Sequence, residues 1–149
     1  MTTTVATPAL TEMLLFRVGG EFFAVPLSCA EEALESLAHE PLPGMPAGML
    51  GVATHRGRRL AVYAPAPLLG VSNAAADGVT LVIHASAGRV GLLVDDVEDV
   101  IITDVGARRP VPGPATPDPV LSGVVPRGAD LVALCDADAL VRACLGGNA

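Results

Sequence analysis

Three histidines, three cysteines and a few acid pairs are the groups in this chain whose types could do chemistry. His39, His55 and His84 are scattered. None stands four residues from another histidine or at ligand spacing from a cysteine, so no zinc-type set forms. Cys29, Cys135 and Cys144 are odd in number and lack a Cys-x-x-Cys pair; they read as small buried hydrophobes in a reducing compartment. Asp95, Asp96, Glu98 and Asp99 would suit a hard cation, but Val97, Val100 and Ile101 interleave with them and no glycine-centred loop follows. A solvated acidic face is their expected role. Asp136 and Asp138 read as the cap and first turn of a helix. No Gly-x-Ser-x-Gly elbow surrounds a serine, and no dinucleotide-type glycine run follows a strand. Neither catalysis, a metal nor a cofactor is expected. All nine cations are arginine, and the absence of lysine removes Schiff-base chemistry and a Walker-type phosphate loop. Arg56 stands apart, on the turn Thr54-His55-Arg56-Gly57 with Arg58 and Arg59 close behind. A planar guanidinium on a rigid turn makes an interface anchor; it equally suits a solvated hairpin tip.

The elements that must position these residues are short strands. The 149 residues carry a net charge of −7, 51% hydrophobic and 17% charged residues, and a mean hydropathy of +0.54. That excludes wholesale disorder and suits one domain or two small lobes. Few cations and 3% aromatics speak against nucleic acid. No apolar stretch approaches a membrane span, and Met1 to Ala9 lacks the cation and apolar run of a signal peptide, so a cytoplasmic location without membrane insertion is expected. Residues 1–12 read as a flexible tail and 147–149 as a second one. Met13–Val18 and Glu21–Pro26 read as a hairpin around Gly19-Gly20. Ser28, with Glu31 three residues on, predicts a short helix over Ala30–Leu37. Met49–Ala53 and Arg59–Tyr63 read as a strand pair, and Pro65–Gly70 as a helical turn. Ser72–Gly78 reads as a small-residue loop.

This order is then repeated. Val79–Ala85 and Arg89–Val94 form a second apolar hairpin, Asp95–Ile102 sets acids among aliphatics, and Arg109–Pro119 is rich in breakers. Leu121–Val125 and Leu131–Cys135 flank Arg127-Gly128, and Asp136 opens a terminal helix. Val25 to Val94 is 69 positions, Arg56 to Arg127 is 71, and Gly51 to Gly123 is 72. Offsets this uniform predict an internal duplication, with two small barrels or a sandwich as the architecture.

At this level of detail the chain resembles the CheW-type coupling proteins of bacterial chemosensory arrays. The matching segments are Phe16-Arg17-Val18-Gly19-Gly20-Glu21 with Val25-Pro26-Leu27, and Ala30-Glu31-Glu32-Ala33. Then come Gly51-Val52 into Arg56-Gly57 and Leu60-Ala61-Val62, Val90 to Val97, and Leu121-Ser122-Gly123-Val124 through Asp136. The resemblance covers residues 13–146 and implies a mainly β fold of two small SH3-like five-stranded β-barrel lobes packed together. Short helices, one of them C-terminal, would complete it. The lobes would fall near 13–78 and 79–146, with strand exchange between them left open. It implies a non-catalytic adaptor joining the cytoplasmic tip of methyl-accepting chemoreceptors to the regulatory domain of a CheA-type histidine kinase, and other CheW-like proteins as further partners. Such adaptors work in motility control, at receptor clusters associated with the membrane or the nucleoid. By position, Arg56 with Gly57 and His55 would couple receptor and kinase. Ala30, Glu32, Ala33 and Gly51 would face the kinase, and Val52, Val82 and Val94 would line a receptor groove. The usual family turn reads Asn-Leu-Arg-Gly, whereas Thr54 and His55 precede the arginine here, and Ala30 and Ala33 are smaller than the usual aliphatics. A divergent coupler that keeps one of the two partnerships fits those departures. The alternative is a small β-barrel ligand-binding protein or enzyme with a pocket between the lobes.

Overall fold

A computed structural model describes residues 9–35, 37–46, 48–71, 78–112 and 119–146. The small-residue loop at 72–77, the middle of the proline-rich stretch at 113–118 and the outermost tails lie outside them.

Among the described residues ten strands and two α-helices follow one another. β1 (Leu10–Val18) and β2 (Glu21–Pro26) form the first hairpin, then come β3 (Ala30–Glu35), β4 (Met49–His55) and β5 (Arg58–Tyr63), with α1 (Ala66–Leu69) closing the first set. β6 (Val79–Ala85) and β7 (Gly88–Val94) form the second hairpin, followed by β8 (Asp96–Asp104), β9 (Leu121–Arg127), β10 (Asp130–Cys135) and α2 (Ala137–Gly146). Two sequence expectations change. Leu10, Thr11 and Glu12 are not tail but strand, paired with Asp104, Thr103 and Ile102 of β8. Ala30–Glu35 is strand rather than helix. Leu27–Cys29 makes a single 3-10 turn, after which Ala30 turns extended (φ −89, ψ 125) and β3 pairs with the apolar β6 through Ala33–Leu81 and Glu32–Val82. The sheet edge outweighs a cap-like Ser-x-x-Glu spacing, because propensity is a weak prior beside tertiary pairing.

The strands make two five-stranded sheets, ordered β8-β1-β2-β10-β9 and β3-β6-β7-β5-β4. The orders are equivalent, with β6 standing for β1, β7 for β2, β3 for β8, β5 for β10 and β4 for β9. Each repeat lends its hairpin to the other repeat's last three strands. The sheets therefore divide the chain differently from 13–78 and 79–146: the second is built from 30–94 alone, and the first from 10–26 with 96–135. In each, the hairpin's second strand runs parallel to its neighbour, β2 beside β10 and β7 beside β5.

Burial follows from this exchange. Met13, Leu15, Ala24, Val125, Val132 and Leu134 fill the interior of the first sheet. The opposite face of the same hairpin carries Phe16, Val18, Phe23 and Val25, which pack with Leu81, Ile83, Val90 and Leu92 of the second sheet and with Leu140 and Val141 of α2. The Phe16 and Phe23 rings stack with centroids 6.0 Å apart. Hairpin strands buried on both faces must be nearly continuously apolar, which accounts for the high hydrophobic content. Asp136 caps α2 by accepting the Ala139 N–H at 3.1 Å.

Candidate functional site

The turn between β4 and β5 is two residues long, and Arg56 takes φ +54 at its tip while Gly57 takes φ +75. Two positive φ values in succession define the turn twist that matches a β-hairpin, and glycine supplies the second at no steric cost. Arg56 is therefore fixed by its backbone on a rigid tip, with a side chain 72% exposed.

A carboxylate from the opposite sheet edge holds its head. Glu32 Oε1 accepts from Arg56 Nε at 3.1 Å and Nη2 at 2.9 Å, and it lies 2.9 Å from His55 Nε2. These donors hold the Glu32 carboxyl below its usual range, the His55 hydrogen bond most of all and the Arg56 bond next. His55, the last residue of β4 before the turn, is buried, at 5% exposure. Behind it Arg89, at the start of β7, meets His55 Nδ1, and its Nε donates to Glu31 Oε2 at 2.8 Å. His84 of β6 lies 3.8 Å from the same Glu31 oxygen.

Local irregularity lets neighbouring acids act together. The β3–β6 register shifts between Ala30 and Glu32, so Glu31 sits in a bulge. A bulge re-aims a side chain that strict alternation would send to the other face. β3 and β4 are the two edges of the second sheet. The cluster Glu31–Arg89–His55–Glu32–Arg56 thus ties one edge to the other and closes the barrel with side chains.

The CheW-like domain family matches residues 12–144. The chain belongs to that family. It is 33% identical to the probable chemotaxis protein CheW of Rhizobium etli over 103 residues, 68% of this chain. To the chemotaxis protein CheW of Rhizobium meliloti it is 32% identical over the same length. The chain spans 66% of the length of each. Its fold matches the crystal structure of the scaffolding protein TtCheW from Thermoanaerobacter tengcongensis with a TM-score of 0.74, at 19% identity, covering 87% of this chain and 90% of that one. The CheW-like architecture of two small SH3-like barrel lobes is therefore the fold described above.

The CheW-like chain brings Arg56, Gly57, His55 and Glu32 together at one end of the second barrel. Ala33 is exposed on the same β3 strand, while Ala30 is half-buried against the shared core. Gly51 is buried with a structural duty: a Cβ there would stand 2.6 Å from the Glu40 carbonyl oxygen, where the chain crosses β4 through a Glu40–Val52 bridge. Of the groove valines only Val52 reaches the surface, lining a cavity of about 500 Å³ with Leu37, Glu40, Leu42 and Arg59. Val82 and Val94 are 0% and 1% exposed, and so offer no surface to a partner. Val82 lies on a central strand between β3 and β7, and Val94 packs into the core between the sheets. Arg89 is the cluster member that the sequence leaves unmarked, and Glu31 reads there as part of a helix cap and not as a site residue. The one signal for Arg89 is a lone arginine near the start of β7, where the rest of the strand is glycine and aliphatic.

The acids at 95–99, just before and at the start of β8, are all engaged within the protein. Asp95 accepts the Gly20 N–H, Asp96 and Asp99 each accept the N–H of the next residue, and Glu98 pairs with Arg17. Among the described residues no group of three or more metal-type ligands gathers, and no helix is long and apolar enough to cross a membrane. A cavity of about 320 Å³ beside the first sheet is lined by Met13, Cys29, Arg108, Cys135 and Asp136. Its arginine donates to the Ser122 and Val105 carbonyls, and burial pushes the Cys135 thiol up to about 12, far from a nucleophilic thiolate at neutral pH.

Proposed function

We propose that this CheW-like protein is a non-catalytic coupling adaptor. It would link the cytoplasmic tip of a chemoreceptor to the regulatory domain of a CheA-type histidine kinase in an array that governs motility. The observation that carries the reading is the β4–β5 turn, where an exposed arginine is pre-set by its backbone and clamped by Glu32. Pre-ordering a long cationic side chain lowers the entropy lost on binding, which is what an anchor residue requires. Family membership and the scaffold-like fold support the same role. Ala33, exposed beside Glu32, belongs to the kinase-facing patch in this reading, and Val52 to a receptor groove. Ala30 and Ala33 offer less apolar area than larger aliphatics would, which suits a coupler that relies on one partnership more than the other. The array would recruit the protein to receptor clusters at the membrane or the nucleoid.

The test is calorimetric titration of the purified chain with a kinase regulatory domain and with a receptor tip. R56E should weaken at least one of the two by about thirtyfold or more, the effect of losing a hot-spot residue. Unchanged affinity for both in a folded R56E protein refutes the role of the turn, and binding of neither partner by wild type refutes the coupling function.

A further inference from the structure

Three donors converge on one oxygen: His55 Nε2, Arg56 Nε and Arg56 Nη2 all reach Glu32 Oε1. On the far side of the imidazole, Nδ1 meets Nη2 of Arg89. A guanidinium carries N–H donors and no acceptor, so Nδ1 presents its lone pair. The ring proton then sits on Nε2 and is donated to Glu32. Arg89 is itself held from behind by Glu31 at 2.8 Å. Glu31, Arg89, His55, Glu32 and Arg56 thus form a directed relay that needs a neutral imidazole at its centre. Histidine is also the only residue type among these five that ordinarily changes charge near neutral pH. It stands where the family's usual turn has leucine.

We infer that Arg89, acting through His55 and Glu32, is a positioning residue for Arg56, and that protonation of His55 releases Arg56 from its clamp. This deepens the coupling function and rests on that reading for its effect on a partner; the relay itself does not. Protonated at Nδ1, the ring aims an N–H at a guanidinium, and a hydrogen bond becomes a contact between two cations. Its other bond, to Oε1, becomes charge-assisted and stronger. Arg56 must then share that oxygen with a second cation, while water is freely available to its exposed head. The charged and titratable groups around the ring are Glu31 and Glu32 from β3, His84 from β6, Arg89 from β7, Arg56 on the turn and Arg58, its cross-strand partner on β5. Both carboxylates are already engaged by arginine, so an added positive charge finds no uncommitted counter-charge among these groups.

Nuclear magnetic resonance of the ¹⁵N-labelled protein tests the relay without a partner. At neutral pH the long-range correlations of His55 should show the Nε2–H tautomer, and the Arg56 Nε–H should exchange slowly with water. As His55 is titrated to its cation, protection of that N–H should fall about fivefold, the worth of one hydrogen bond. H55Q, whose amide offers the same acceptor and donor, should keep the protection flat over that range. R89M should lower it at neutral pH, and R89K, which keeps a donor, should restore most of it. An Nδ1–H tautomer at neutral pH, or Arg56 protection unchanged both through the titration and in R89M, overturns the relay. Titrating the same samples with the kinase regulatory domain separates the two readings. Acid-weakened binding in wild type but not in H55Q carries the relay to the partner, whereas absence of binding by every form refutes the coupling function and leaves the relay result standing.

Discussion

Glu32 does two jobs with one carboxylate, and its titration shows how they are linked. Its hydrogen bonds to His55 and Arg56 hold its folded value below the ordinary 4.5. A carboxyl depressed on folding stabilises the protein above its unfolded value, and that contribution fades as pH falls through the folded one. The Tm difference between wild type and E32Q should therefore be present at neutral pH and shrink toward zero in acid, below the ordinary carboxylate range. Added salt should also shrink it, since the group is well hydrated. A difference that stays constant down the pH scale would show that E32Q acts through packing instead. Asp138, held low by the Ser86 N–H and hydroxyl, loses its contribution over the same acidic side and sets the background against which E32Q is read.

Among the elements, glycine at the crossing of β4 is the most exacting choice. Gly51 lets the segment around Glu40 lie across the strand with reciprocal Glu40–Val52 hydrogen bonds of 2.9 Å, and Gly123 does the same for Arg109 on β9. G51A drives a methyl into the Glu40 carbonyl and should cost about 1–3 kcal/mol, as overpacking does. Hydrogen exchange should show the loss as faster Glu40 and Val52 amides, with β6 and β7 unaffected; uniform acceleration would mean that the crossing holds the whole barrel. The strands themselves are legible in the sequence because hairpin turns announce themselves, as at Gly19-Gly20 and Arg56-Gly57; the third falls one residue past the expected Arg127-Gly128, at Gly128-Ala129. β3 is not, since its acids and alanines carry no apolar alternation and only the neighbouring β6 decides its conformation. For the same reason the site is half legible. Arg56 sits on a recognisable turn with His55 just before it, while Arg89 reaches them through a β5–β7 adjacency that no local pattern encodes.

For the molecule as a whole, the shared core decides what can open independently. Cys135 at the end of β10 and Cys144 on α2 both lie in the cluster that joins the sheets, and burial pushes each thiol up to about 12. Cys29 is half-buried outside it. A maleimide reagent at neutral pH should modify Cys29 alone, and Cys135 and Cys144 should react together, at a rate set by global unfolding. Faster reaction of Cys144 than Cys135 would show that α2 detaches on its own. The exchanged hairpins have a further consequence, for descent. One repeat alone supplies a hairpin that belongs to one barrel and three strands that belong to the other. An ancestor of that length could complete either barrel only by trading hairpins with a second copy, so it would have been an obligate swapped dimer. Joining two such copies end to end makes the exchange internal, and folding no longer depends on concentration.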